Sequence, residues 1–114
     1  MYPRTAVQHG RGQGRPLPRP FAMPWGKGLI VEEASIVREH WEPTVQLLRY
    51  EDGSEALRFC YYIGPRFGRG PMLLGADDLE DLSAALAGAP RIAKHLRRLT
   101  GGGAGGRPSS RTPR

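Results

Sequence analysis

The chain contains very little cysteine. Cys60 is the only one among its 114 residues. A single cysteine forms no intramolecular disulfide and no paired-cysteine metal knuckle, so disulfide scaffolds and cysteine-based zinc folds are excluded. Lone cysteines are typical of a reducing cytosol, and we expect a cytoplasmic protein, associated with the nucleoid if it is bacterial. Cys60 lies in a strand-like stretch, where a small apolar role is commoner than a nucleophilic one.

Long hydrophobic runs are also missing. The apolar stretches are only a few residues long, whereas a membrane-spanning helix needs about 20. The N-terminal region carries charge but no apolar segment of the secretory type. We therefore expect no membrane contact. Met23, directly before PWGKGLIVEE, is a second candidate start site that would remove residues 1–22.

Acidic residues are absent from both ends of the chain. Residues 1–27 hold five basic side chains and residues 100–114 hold three, so all 11 acidic ones lie within residues 28–99. Proline and glycine enrichment and low apolar content predict disordered arms at 1–27 and 100–114 around one domain at 28–99. Basic arms favour polyanionic partners through counterion release. The alternative is that they serve solubility alone.

The central residues predict antiparallel strands. The stretches 28–39, 44–51 and 54–63 have strand-like, β-branched or aromatic patterns, and MLLG (72–75) predicts a short fourth strand. Asp52–Gly53 predicts a tight two-residue hairpin turn between the second and third strands.

That turn would set the register by placing Tyr50 opposite Glu55. One face of the hairpin would then carry the core side chains Leu48, Tyr50, Leu57, Phe59, Tyr61 and Ile63. The other face would carry the mixed set Val45, Leu47, Arg49, Arg58, Cys60 and Tyr62. A mixed face of this kind is either solvated or meets a partner.

A helical pattern follows the strands. Leu79, Leu82 and Leu86 recur at helical spacing after an acidic first turn that suits the helix dipole. Gly88 is expected to end this helix and Pro90 to begin another. We therefore predict an α+β fold, in which a four-stranded antiparallel curved sheet precedes an interrupted C-terminal helix (ββββα). Such a helix covers one sheet face and leaves the other open to a ligand.

Catalytic and metal-binding patterns are scarce. The three histidines are far apart in sequence and show no metal-ligand spacing. The acidic cluster at 77–81 suits a helix start better than a pair of catalytic carboxylates. GRGQGR (10–15) precedes no strand–helix unit and is therefore not a phosphate loop. We expect no enzymatic activity, metal, cofactor or small-molecule substrate.

Arginines and aromatic rings concentrate on the third predicted strand and the loop after it. Single-stranded nucleic acid is bound by cations along its backbone and by rings that stack on its bases. The candidate phosphate contacts are Arg49, Arg58, Arg66 and Arg69. The candidate stacking rings are Trp41, Tyr62 and Phe67. The structural alternative is that rings serve the core and that Arg49 pairs with Glu51 or Glu55 across the hairpin.

The stretch EALRFCYYIGPRFGRGPMLLGADDLEDLSAAL (55–86) resembles the transcriptional positive-coactivator family. The shared pattern is an aromatic strand, a turn rich in glycine and basic residues, a short strand and an acidic helix start. Arg69 matches the basic residue before the last strand, and Arg58 and Tyr62 lie on the aromatic strand. The resemblance implies a Whirly-like ββββα unit that dimerises through its helices and binds single-stranded DNA across its outer sheet surface.

The expected function is therefore non-enzymatic binding of single-stranded DNA, with RNA left open, by a homodimeric accessory factor of transcription, replication or repair. The alternative is a protein-interaction module that docks another polypeptide on a flat face of Val45, Leu47 and Cys60. Exposure of Arg58 and Tyr62 on the sheet face away from the helix would favour nucleic acid.

Overall fold

The computed structural model of the protein describes residues 15–101, so the predicted disorder of 1–14 and 102–114 lies outside the described chain. In chain order the elements are β1 (Arg19–Met23), β2 (Gly26–Ser35), β3 (Glu42–Tyr50), β4 (Glu55–Ile63), β5 (Arg66–Phe67), α1 (Asp78–Leu86) and α2 (Pro90–Thr100). The strands form one antiparallel sheet in the order β1-β2-β3-β4-β5. The α+β class and the C-terminal helices are confirmed. No helix of the described chain is long and apolar enough to cross a membrane.

The first additional strand, β1, falls within the segment predicted to be a disordered arm, and that part of the prediction is wrong. β1 pairs with β2, and Phe21 packs against Ile30 and Leu48. Pro20 is tolerated because β1 is an edge strand, where a missing N–H removes no bond from the interior of the sheet. The prolines that suggested disorder are therefore compatible with a short edge strand.

The second additional strand, β5, replaces the predicted strand at 72–75, which is irregular. Gly64, with φ of 60°, and Pro65 form a tight turn after β4, and Tyr62 then pairs with Phe67. The glycines and prolines of residues 64–71 by themselves predict irregular structure throughout. The turn needs only Gly64 and Pro65, so Arg66 and Phe67 can pair with β4 directly after it.

The β3–β4 hairpin has a register one residue away from the predicted one. The Tyr50 N–H donates to the Ser54 carbonyl over 2.8 Å, and the Gly53 N–H donates to the Tyr50 carbonyl over 2.9 Å. The loop therefore contains three residues, with Gly53 at a φ of 91°, instead of the two expected. Arg49 consequently pairs with Glu55, and both predicted face assignments of the hairpin are wrong.

Both helices pack on one face of the sheet. The core there consists of Ala34, Val45 and Leu47 from the strands and Ala85, Ala89 and Ile92 from the helical region. The predicted break is confirmed, because α1 ends at Leu86 and Pro90 is the first residue of α2. Val45 and Leu47 are fully buried beneath the helices, so the flat docking face predicted to include them does not exist.

A β-bulge in β2 shapes both faces of the sheet. The pairing with β3 shifts between Ile30 and Glu32, which adds one residue to β2 and bends it. Val31 packs against the helix-side core, and the Glu32 carboxylate accepts the backbone N–H groups of Arg91 and Ile92 at the start of α2. The bulge thus supplies a cap for α2, where a negative charge is favourable.

The face opposite the helices is also largely buried. Its apolar end contains Phe21, Ile30 and Leu48. Its polar end contains the buried side chains Glu33, Ser35, Glu42, Thr44 and Gln46. The prediction of an open second face is therefore wrong for β2 and β3, and the strand residue described on this face that remains exposed is Phe67 in β5.

Candidate nucleic-acid interface

Three of the predicted interface residues meet at the β4–β5 hairpin. Because Tyr62 pairs with Phe67, their rings pack edge to face with centroids 5.4 Å apart. The Arg58 guanidinium carbon lies 4.8 Å from the centre of the Phe67 ring and 5.9 Å from that of Phe21. At such distances the ring quadrupole attracts the cation, so Phe67 and Arg58 hold each other in position.

Phe67 is the ring of this group that solvent reaches. It is 48% exposed, and Arg66 and Arg69 are exposed beside it in the sequence. Within residues 15–101, neither of these arginines has an ion-pair partner. The hairpin edge therefore combines an accessible ring with cations that no described carboxylate neutralises.

Gly68 fixes the start of the loop that carries Arg69. Its N–H donates to the Tyr61 carbonyl over 2.8 Å. A Cβ at this position would lie 2.0 Å from the Tyr61 ring, so only glycine fits this close approach. The sequence identified this segment as irregular but gave no sign of its contact with Tyr61.

Tyr62 lies on the sheet face away from the helices, as the nucleic-acid hypothesis required, but only 7% of it is exposed. The Arg15 guanidinium carbon lies 3.7 Å above the centre of its ring. Its hydroxyl accepts hydrogen bonds from Arg19 Nη2 at 3.2 Å and Gln46 Nε2 at 3.0 Å. In this arrangement Tyr62 belongs to a buried network, and Phe67 is the ring available to a ligand.

The other two predicted residues lie apart from the hairpin group. Arg49 is on the helix side, where its Nη2 lies 3.3 Å from Glu55 Oε2, as the structural alternative proposed. Trp41 packs edge-on against Tyr61, with ring centroids 5.3 Å apart. The structure thus brings Arg58, Tyr62 and Phe67 into contact and separates Arg49 and Trp41 from them.

A polar network behind the hairpin was not foreseen from the sequence. Arg19 donates to both oxygens of Glu33 at 3.1 and 2.7 Å, and Gln46 Nε2 donates to Glu33 Oε2 at 2.7 Å. Gln46 Oε1 accepts from Arg58 Nε at 2.8 Å. The available signal was the alternation of polar residues along β2 and β3, which in two neighbouring strands indicates a shared polar face.

Glu42, in β3, is a second buried carboxylate. Its Oε2 accepts from Arg15 Nη2 over 2.6 Å, and only 2% of its side chain is exposed. Burial raises the pKa of Glu42, although the neighbouring Arg15 acts in the opposite direction. Its other oxygen, Oε1, has no hydrogen-bond partner in the described chain.

Cys60 is buried between these polar groups, and burial raises the pKa of its thiol to about 11. A thiol in this state is a poor nucleophile at neutral pH. Among residues 15–101, no group of three or more histidine, cysteine or acidic side chains is arranged to hold a metal ion.

The edge of the helix-covered face carries an apolar cleft of about 500 Å³ between β4 and the end of α2. Leu57, Phe59 and Leu99 line its apolar part, and Glu55 and His95 line its polar part. Phe59 is 49% exposed and Leu99 is 74% exposed, so the helices leave this end of β4 uncovered.

Comparison with protein-family models, with curated proteins and with solved structures finds no match to this chain. The resemblance to the positive-coactivator family therefore stays a prediction.

Proposed function

We propose that the protein binds single-stranded nucleic acid, DNA in the first place, without catalysing a reaction. The observation that carries this proposal is the half-exposed Phe67 ring, which packs against the Arg58 guanidinium and is flanked by Arg66 and Arg69. Aromatic rings bind unpaired bases by stacking, and neighbouring cations contact the phosphates. An accessory role in transcription, replication or repair would follow from such binding.

The proposed interface is smaller than the one expected from the sequence. Its centre is Phe67, on which one base would stack. Arg69, exposed in the loop after Phe67, would contact an adjoining phosphate. Arg66 pairs with Ile63 and so projects to the other face of β5, where it would add positive charge at the same edge. Arg58 contributes charge while it stays bonded to Gln46. Arg49, Trp41 and Tyr62 have partners within the fold, so we assign them supporting roles.

The basic ends of the chain would add affinity that depends on salt. Outside residues 15–101 the two ends carry five basic side chains and no acidic one, whereas Arg15 and Arg19 are already bonded to Glu42 and Glu33. Cations that replace condensed counterions on a nucleic acid give binding that weakens steeply as salt rises. A single stacked ring gives little affinity alone, so the arms would hold the chain near the strand while Phe67 selects unpaired bases.

We further propose that the protein forms a homodimer through the apolar cleft. Phe59 and Leu99 are large apolar side chains exposed on the same edge of the molecule. Burial in a dimer would remove their apolar surface from water. Two copies would also present two Phe67 rings, which would increase affinity for one strand by linking two weak contacts.

The function is tested by fluorescence anisotropy with a labelled oligothymidine, at about 50 and 200 mM salt. We expect saturable binding at low salt, weaker binding at high salt, and lower affinity for a duplex of equal length. Absence of binding at low salt would rule out the proposal. Equal affinity for the duplex would reduce the protein to a general polyanion binder.

The dimer is tested by sedimentation velocity of the full chain and of Leu99→Glu. A matched control is Leu73→Glu, because Leu73 is similarly exposed (69%) but lies outside the cleft. We expect the wild type and Leu73→Glu to sediment as dimers and Leu99→Glu as a monomer. A monomeric wild type would overturn the homodimer.

A further inference from the structure

Arg15 occupies a pocket that has the chemistry of an arginine-binding site. One wall is the Glu42 carboxylate, 2.6 Å from Arg15 Nη2, and another is the Tyr62 ring, 3.7 Å from the guanidinium carbon. Carboxylate pairing combined with stacking on an aromatic face is the usual way in which proteins recognise a guanidinium group. The pocket is built from β3 and β4, whereas Arg15 lies before β1.

The fit of Arg15 in this pocket is incomplete. In the described chain, Glu42 Oε1 and Arg15 Nε are both buried and have no hydrogen-bond partner. A guanidinium group and a carboxylate can form two parallel hydrogen bonds, but here a single one is present. A guanidinium that enters from a different backbone position could satisfy both carboxylate oxygens, so the pocket has binding capacity that Arg15 leaves unused.

The segment that carries Arg15 is held weakly. The pairing of β1 with β2 begins at Arg19, and residues 15–18 make no backbone–backbone hydrogen bond with the rest of the described chain. Pro16, Leu17 and Pro18 are exposed. Besides the Arg15 side chain itself, one 3.3 Å bond from Arg19 Nη1 to the Pro16 carbonyl secures this segment. Release of residues 15–18 from the pocket would therefore leave the pairing of β1 with β2 intact.

The charge of the pocket selects a cation. Glu33 lies close enough to Glu42 to act on its charge, and Glu33 is already bonded to Arg19 and Gln46. A phosphate group would meet two buried carboxylates here, so this pocket cannot extend the nucleic-acid interface. The ligand must carry a positive charge and a flat face for Tyr62, which a guanidinium group does and an ammonium group does not.

We propose that this pocket is a binding site for the arginine side chain of a polypeptide, and that Arg15 is its displaceable intramolecular occupant. The sequence supplies a competing segment, because Gly14-Arg15-Pro16 recurs in the tail as Gly106-Arg107-Pro108. Exchange of one Gly-Arg-Pro segment for the other, within a chain or between two copies, would link the two basic ends through one pocket. The proposal does not depend on nucleic-acid binding.

The test uses a fluorescently labelled peptide of residues 104–110 (AGGRPSS) and two full-length variants that differ only at position 15. Arg107→Ala keeps Arg15 in the pocket, whereas Arg15→Ala/Arg107→Ala leaves the pocket empty. We expect the double variant to bind the peptide at least tenfold more tightly than Arg107→Ala. The same peptide with lysine in place of Arg107 should bind at least tenfold more weakly. Equal binding by the two variants, or none by either, would overturn the proposal.

Arg15→Ala could instead destabilise the fold, and chemical rescue then gives the answer. Millimolar ethylguanidinium should raise the melting temperature of Arg15→Ala and not that of the wild type, whose pocket is filled. Ethylammonium, which lacks the planar fork, should have a smaller effect. Addition of Glu42→Gln to Arg15→Ala should abolish the rescue by removing the carboxylate charge. Failure of ethylguanidinium to stabilise Arg15→Ala selectively would refute a guanidinium site.

Discussion

Gln46 accepts a hydrogen bond from Arg58 across β3 and β4, with Arg58 Nε and Gln46 Oε1 separated by 2.8 Å. The other end of the same amide donates to Glu33 and to the Tyr62 hydroxyl. Gln46 therefore connects Arg58, which lies beside Phe67, to the buried network. Its amide oxygen accepts from Arg58, and its amide nitrogen donates to Glu33 and Tyr62. Its own complete burial means that water cannot replace these bonds.

Replacement Gln46→Leu should destabilise the protein by about 2–3 kcal/mol. It removes one buried donor from Glu33 and Tyr62, to which Arg19 still donates, and it leaves Arg58 Nε without its acceptor. Urea unfolding followed by circular dichroism measures the change. Glu51→Gln, at an exposed site in the hairpin loop, is the control and should shift the free energy of unfolding by less than about 0.5 kcal/mol. Equal stability of Gln46→Leu and the wild type would mean that the network contributes no net stability.

Phe67→Ala should weaken oligothymidine binding by roughly 5- to 150-fold, which corresponds to the loss of one stacked base. Trp25→Ala is the control, because Trp25 is also a large exposed ring but lies in the β1–β2 turn, at the other edge of the sheet. Anisotropy titrations at low salt compare the two variants. If both lose the same affinity, the ring beside Arg58 is not the stacking platform.

The β3–β4 hairpin shows why the sequence predicted the elements better than the side-chain directions. Asp52–Gly53 correctly indicated the turn, but both two-residue and three-residue loops suit this dipeptide. The choice between them decides whether Arg49 or Tyr50 pairs with Glu55, and hence which face every following residue joins. The residues of the turn do not distinguish the two loop lengths. The observed register pairs Gln46 with Arg58, and their burial involves Glu33 of β2 and Phe21 of β1, which lie far from the turn in sequence.

The N-terminal segment shows a different limit. Its prolines and basic residues have the composition of a disordered arm, and composition takes no account of the partners that Glu33 and Glu42 require. Arg19 and Arg15 supply those partners from outside the predicted domain. The break before Pro90, by contrast, was predicted correctly because helix termination and initiation depend on local backbone chemistry.

Gly68→Ala should destabilise the protein by about 1–3 kcal/mol, because the added Cβ would clash with the Tyr61 ring. Gly75→Ala is a matched control in the same connection, since its Cβ would lie at an ordinary 3.5 Å from the Asp78 carboxylate. Thermal unfolding of both variants separates the close contact from the general effect of adding a methyl group. Equal melting temperatures would show that the loop can move away from the Tyr61 ring at no cost in stability.

Cys60 should be unreactive in the folded protein. With a thiol pKa of about 11, about one molecule in a thousand carries the thiolate at pH 8, and the side chain is also buried. Ellman's reagent should therefore react slowly in buffer and rapidly in 6 M guanidinium chloride. The chain has no other cysteine, so the signal reports this position alone. Rapid reaction without denaturant would show that the network around Cys60 opens readily.

The pH dependence of stability should show the effect of burying Glu42. Because burial raises its pKa in the folded state, folded chains bind a proton more tightly than unfolded chains between about pH 4.5, the ordinary glutamate value, and the raised pKa. The contribution of Glu42 is therefore fully present below about pH 4.5 and is lost as the pH rises through the folded value. Glu42→Gln, which mimics the protonated form, should lack this loss.

Glu55 provides a control of opposite sign. Its hydrogen bond with His95, followed by those with neighbouring arginines, lowers the pKa of Glu55, so its stabilising contribution is present at neutral pH and is lost as the pH falls through that lowered value. Urea unfolding between pH 3 and 7 should show Glu42→Gln gaining relative to the wild type as pH rises and Glu55→Gln gaining as pH falls. If Glu42→Gln instead falls further behind the wild type as pH rises, attraction to Arg15 outweighs the desolvation of Glu42, and Arg15 is bound too tightly to be displaced.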